Sequence, residues 1–337
     1  MKRLSHRKSQ AELIESYRML GESEPFLSCL EQVSRAARVN RPVLVVGERG
    51  TGKELVAARI HYLSDRWDQP RVTVNCAAFA PDLLESEIFG HERGAFTGAD
   101  RTKMGRFELA HGGSLFMDEL AQSTKPLQEK LLRILEYGEF ERVGGTDTMK
   151  LDVRVIAATH EDLPTLVTNG EFRADLLDRL SFEVITIPPL RERADDIPLL
   201  ALVFARRMAV ELGLKDPPEF TQDAMNTLLS YSWPGNIREL KNAVERSVFR
   251  LNGGLIDQVF LDPFASPYRV SPPEKPTDLE GKMDLNKQLA DTERRWILEA
   301  LTRNRYHQRK TAESLSLSYH QFRRCLARLG IDPKSDQ

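Results

Sequence analysis

Glycines at 47, 50 and 52 lead into Lys53 in the run Gly47-Glu48-Arg49-Gly50-Thr51-Gly52-Lys53. The run lies between an apolar stretch, PVLVVG, and a helix-like one, ELVAARIHYL. Positions without side chains at this spacing let backbone N–H groups close on an anion at a helix N-terminus, and the lysine can reach the outer phosphates of a nucleotide. The hydroxyl residue that usually follows and holds magnesium is replaced by Glu54. A second apolar run, GGSLFMDE, ends in the adjacent carboxylates Asp118 and Glu119. Asp118 can hold magnesium while Glu119 sits beside an attacking water, the division of labour that phosphoryl transfer asks for. Two acids at a strand end also fit a solvated turn or a helix cap. Paired with the phosphate loop, they point to hydrolysis of a nucleoside triphosphate with Mg2+.

Such groups need a rigid frame. The runs PVLVVG, RVTVNC, GSLFMDE, VRVIAAT and FEVITIP alternate with helix-like segments, the pattern of a buried parallel sheet covered by helices. Residues 20–190 therefore read as an α/β unit. From 191 to 261 strands disappear and helical patterns such as IPLLALVFARRMAVELG take over, a helical subdomain. Residues 262–284 hold five prolines among polar residues and read as a linker. At 337 residues and 41% hydrophobic, the chain is long and apolar enough for about two domains. Three scattered cysteines give neither a disulfide framework nor a zinc spacing and fit a reducing cytoplasm. The longest apolar run, IPLLALVFA, is about half a membrane span.

The net charge of −2 hides a basic end: seven Arg or Lys between 300 and 330 face one acid, Glu313. Within residues 285–337, TERRWILEALTRN reads as a helix, and QRKTAESL and YHQFRRCLARLGI as a helix, turn and helix, with Ala312, Leu315, Leu317, Phe322, Leu326 and Leu329 facing inward. Arg309, Lys310, Tyr319, His320, Gln321, Arg323, Arg324 and Arg328 are then available to base edges and phosphates in a major groove. A basic helix pair can equally be a solvated bundle.

One stretch fits no core. In HERGAFTGADR, Phe96 is framed by small residues and bracketed by charge, a setting for an exposed aromatic contact, where glycines at 94 and 98 permit tight loop geometry. The motifs GERGTGKE, GAFTGA, GGSLFMDE, FRADLLDRL and WPGNIREL occur in an order that resembles the bacterial enhancer-binding proteins, AAA+ ATPases that activate the sigma-54 form of RNA polymerase. The resemblance covers roughly residues 20–260 and the C-terminal segment. It implies that Gly94, Ala95, Phe96, Thr97, Gly98 and Ala99 form the loop that contacts sigma-54, and that Glu54 is the usual residue after the phosphate-loop lysine. It further implies that Asn75 holds the catalytic Glu119 in check, that Arg173 and Arg179 reach a neighbouring subunit's γ-phosphate in a hexameric ring, and that Arg238 is the lid's nucleotide sensor. Thr159 falls at the other sensor position, where the family usually continues with asparagine and this chain has His160.

The C-terminal segment resembles a Fis-type helix-turn-helix domain that binds enhancer DNA. Residues 1–19 are too short for a receiver domain, so control in trans is expected. That brevity resembles the phage-shock branch, held down by a phage-shock protein A type regulator for which Trp67, in SDRWDQP, is the implied docking aromatic. The alternatives are an AAA+ remodeller of another protein target and a repressor whose nucleotide site only senses. The GAFTGA stretch speaks against the first, and Glu119 with the two arginines against the second.

Overall fold

The computed structural model describes residues 9–265, 285–304 and 306–331, so most of the proline-rich linker, and Arg305 with it, lies outside the described residues. The chain divides into two compact units, Met1–Phe264 and Ala265–Gln337.

Five strands form the sheet of the first unit: β1 Val43–Val46, β2 Arg71–Asn75, β3 Ser114–Asp118, β4 Arg154–Thr159 and β5 Val184–Thr186. They are all parallel, in the order β2-β3-β4-β1-β5. Every residue of β4 is buried, as a central strand covered on both faces requires. Alternation splits the side chains between two cores. Leu44, Leu115, Met117, Val155 and Ala157 enter one; Val43, Val45, Phe116, Ile156, Ala158 and Ile185 enter the other. Arg154, though buried, is satisfied: its guanidinium donates to the carbonyls of Ala36, Ala37 and Arg41 at the end of helix Glu24–Ala37. Burial pushes its pKa down to about 10.

Helices Ile197–Glu211, Gln222–Ser230 and Asn236–Leu251 pack a separate core. One departure from the sequence reading occurs here. A pair of two-residue parallel strands, Glu219–Phe220 and Leu255–Ile256, closes this subdomain, too short to show any alternation in sequence. Trp233, which precedes the turn into the last of these helices, is fully buried among them, and its indole N–H donates to the Leu228 carbonyl at 2.8 Å. Trp233→Ala would both empty that site and strand the carbonyl. Its expected cost is about 3–5 kcal/mol, measurable by urea unfolding followed by circular dichroism.

In the second unit, helix Leu285–Arg303 and the shorter Gln308–Ser314 and Tyr319–Leu329 enclose Ile297, Leu301, Ala312, Phe322, Leu326 and Ile331. Ser318 starts the last helix with a reciprocal capping box to Gln321. Among the described residues, no helix is long and apolar enough to cross a membrane.

Candidate functional site: a phosphate loop under a helical lid

The loop after β1 runs into helix Lys53–Tyr62, and Gly52 before it takes a φ of 99°, a left-handed turn suited to glycine. Gly50 is required for a second reason: a Cβ there would stand 2.2 Å from the Gly235 carbonyl, because the lid presses directly on the loop. Three contacts fix that seam. Arg191 grips Glu48 with two hydrogen bonds at 2.7 and 3.0 Å. Asn236, fully buried, donates to Glu48 Oε2 and to the Arg49 carbonyl while accepting from the Leu190 N–H. The Arg238 amide donates to the Gly50 carbonyl at 3.3 Å.

The seam borders a cavity of about 910 Å³. Its polar side is lined by Arg49, Lys53, Glu54, Asp118, Glu119 and Arg238, and its apolar side by Leu20, Phe26, Leu200 and Phe204. Lys53 is buried and donates to the Gly47 carbonyl at 3.0 Å. Burial lowers its pKa, with Asp118 and Glu119 opposing and Arg238 and Arg49 assisting. Three cations around one loop suit a polyphosphate, and an apolar wall suits its base. Thr51 is buried and turned inward, its hydroxyl donating to the Glu48 carbonyl. Glu54 is exposed and lies 3.8 Å from Arg71.

Asp118 and Glu119 meet the cavity at the end of β3. Burial raises the Asp118 pKa, and the neighbouring Glu119 charge raises it further. A hard divalent cation would relieve this strain, and carboxylate oxygen is the donor Mg2+ prefers. Among the described residues no three His, Cys, Asp or Glu side chains gather as a metal cage. The protein would thus supply part of the shell, as is usual for magnesium carried by phosphates.

The other residues singled out from sequence fall in varied places. Asn75 lines the cavity, but its side chain accepts from the Ala77 N–H at 2.8 Å. Thr159 is buried, its hydroxyl accepting from the Glu161 N–H, and the next residue, His160, faces the cavity instead. Arg173 pairs with Asp175 and Arg179 with Glu136, both in partly exposed positions away from the cavity. Trp67 is half-buried in the turn after helix Lys53–Tyr62.

Phe96 stands on a loop between the antiparallel strands Gly90–His91 and Lys103–Met104. Gly94 and Gly98 take φ of 83° and 98° with open space around them, so the backbone alone explains these glycines. The Phe96 side is 40% exposed, its ring edge-on to His91 at 4.9 Å. Ala99 is buried and braces the loop. Arg142, on a second hairpin, ties the base of this loop to the body through Glu92 at 2.7 Å and Glu108 at 2.6 Å. Sequence reading missed this clamp, along with Arg191 and Asn236.

In the second unit, Arg323 and Arg324 are exposed on helix Tyr319–Leu329 and carry no ion pair among the described residues. His320 is exposed beside them, as are Arg309 and Lys310 on the preceding helix. Tyr319 is half-buried under Arg309, Gln321 accepts from the cap, and Arg328 is paired with Glu293.

The sigma-54 interaction domain matches residues 19–187 and the AAA+ ATPase lid domain residues 191–275. The chain is 51% identical over 315 residues to the Psp operon transcriptional activator of Escherichia coli (strain K12), spanning 91% of this chain and 96% of that one. The chain belongs to the sigma-54 activator family of AAA+ ATPases. Within that family it is 44% identical over 306 residues to a Nif-specific regulatory protein of Enterobacter agglomerans, of which it spans 58%. The crystal structure of NtrX from Brucella abortus in complex with ATP matches with a TM-score of 0.67 at 34% identity, covering 95% of this chain and 72% of that one. The protein is thus an ATP-binding AAA+ ATPase.

Proposed function

We propose that this activator binds enhancer DNA and uses ATP hydrolysis to convert the closed complex of sigma-54 RNA polymerase into an open one, at a phage-shock operon. The observation that carries the reading is Phe96, displayed at the tip of a hairpin on a nucleotide-binding unit. Exposed aromatics of this kind give large contact area for little ordering entropy.

Lys53 and the glycine-loop amides hold the phosphates, and Arg238 brings the lid to them. Asp118 holds Mg2+, which neutralises phosphate charge when bound. Glu119 takes the proton of the attacking water. Arg173 and Arg179 leave Asp175 and Glu136 to stabilise charge on a neighbouring subunit's nucleotide in a hexamer. Residues 285–337 act as the helix-turn-helix domain, with His320, Arg323 and Arg324 the side chains most available to DNA and Arg309 and Lys310 flanking them. Trp67 serves a trans-acting negative regulator of the phage-shock protein A type, in a cytoplasmic setting.

The test is open-complex formation on an enhancer-bearing phage-shock promoter with purified protein, sigma-54 polymerase and ATP. Opening that requires both hydrolysable ATP and the enhancer is the expected result. Hydrolysis without opening would transfer the reading to a remodeller of some other protein.

A further inference from the structure

A second cavity, of about 330 Å³, shares no lining residue with the nucleotide cavity. Its volume falls at the small end of the range for ligand sites, about 300–1,000 Å³. Leu13 of helix Gln10–Ser16 forms one wall, Tyr62 at the end of helix Lys53–Tyr62 a second, and Trp67 a third. The polar end is made by His61 and by Arg71, the first residue of β2. Asp68 and Gln69 complete the lining and bond each other, Gln69 Nε2 donating to Asp68 Oδ1 at 3.0 Å.

Packing alone leaves Arg71 unexplained. Its side chain is only 11% exposed, yet Nε and Nη2 make no hydrogen bond. Both nitrogens are closed to solvent, so water does not serve them either. The Glu54 carboxylate stands 3.8 Å from Nη2, too far for a hydrogen bond, and is itself largely in solvent. The Tyr17 ring, 5.4 Å from the guanidinium carbon, offers only its face. An unspent charged donor in the interior costs more than a neutral one. Nε and Nη2 share one edge of the guanidinium with their N–H bonds parallel, the fork that takes both oxygens of a carboxylate. His61 adds a second unspent atom without adding charge. Burial, then the Arg71 charge, push its pKa down to about 4, and its Nε2, toward the Gln69 backbone, completes no hydrogen bond.

We propose that this cavity binds a small aromatic carboxylate, its ring between Leu13, Tyr62 and Trp67 and its oxygens on the Nε and Nη2 edge of Arg71, which a turn about the last side-chain bonds brings to the cavity. Aromatic walls suit a planar ring. One guanidinium set against the Asp68 carboxylate suits a monoanion and opposes a polyphosphate. Gln10 already ties the N-terminal helix to this region, its Nε2 donating to the Tyr62 carbonyl at 2.8 Å. A bound ligand adds a second tie, between that helix and the turn that carries Trp67. The site does not depend on the docking role proposed for Trp67.

The experiment is a fluorine NMR titration of the full-length protein labelled with fluorotryptophan, whose three tryptophans are Trp67, Trp233 and Trp296. Benzoate is expected to shift the Trp67 resonance saturably, in the millimolar range, and to leave the other two in place. Benzamide has the same shape without the charge, and inorganic phosphate the charge without the ring. Each should bind about 10- to 100-fold more weakly, the scale of hydrogen bonds to a charged group. Arg71→Met should weaken benzoate by the same factor. Leu13→Phe, at a half-buried position on the facing wall, should block the cavity with Arg71 intact. Unmoved Trp233 and Trp296 signals show that each variant is folded. No saturable Trp67 shift, benzamide or phosphate binding as well as benzoate, or undiminished binding to Arg71→Met or Leu13→Phe would each overturn the assignment.

Discussion

Glu119→Gln is expected to abolish turnover and leave ATP bound. The amide matches the carboxylate in shape and can still accept from His160 Nδ1, so the loop geometry at the end of β3 persists. What it cannot do is take a proton, and general-base catalysis is worth about 10²- to 10⁴-fold. Binding should survive for an electrostatic reason as well. Glu119 is one of the groups raising the pKa of Asp118, so removing its charge makes Asp118 easier to ionise and no worse as a cation ligand. Phosphate release and equilibrium binding of a fluorescent ATP analogue, measured on the same preparation, check both halves. Turnover near the wild-type rate would take Glu119 out of the chemistry.

Phe96→Ala is expected to give the complementary result: hydrolysis should continue and promoter opening should stop. The ring lies on a hairpin tip and does not line the nucleotide cavity, so its removal leaves Lys53, Asp118 and Glu119 as they are. Its loss from a protein contact is a different matter. A buried aromatic anchor is worth about 2–4 kcal/mol, roughly one to three orders of magnitude in affinity. Before it can serve there, the ring must leave His91, an edge-on contact worth about 0.5–1.5 kcal/mol, which is smaller than the gain. Sigma-54 binding and open-complex yield, compared at matched ATPase rates, read the effect. Wild-type opening by Phe96→Ala would mean that the loop has another task.

The sheet and the phosphate loop were legible because their signals are local. Each of the five apolar runs became a strand, and GERGTGKE lies between a strand and a helix as its glycines require. Residues whose roles depend on distant partners were not legible. Glu48 meets Arg191 and Asn236 across 143 and 188 positions of chain, and nothing near any of the three announces the meeting. Asn236 sits inside WPGNIREL, yet the eye goes to the charged Arg238 when the buried amide makes more of the contacts. Trp233 gave no local sign of burial, since proline and glycine follow it and its burial is decided by helices elsewhere in the lid. At residues 159 and 160 the sequence could not tell which of two neighbours faces the cavity; Thr159 is buried and His160 lines it.

The seam between lid and phosphate loop has a consequence for what is lost when nucleotide leaves. In many proteins a glycine-rich loop must be ordered by its ligand, and that entropy is subtracted from affinity. Here Gly50 is wedged under the Gly235 carbonyl and Glu48 is held from two sides, so the ordering is completed during folding. The loop is held in one shape with no ligand in the cavity. Any agent that frees the lid, before it disturbs a single strand of the sheet, would restore that entropy and show itself as amide exchange along the loop and as a weaker grip on nucleotide.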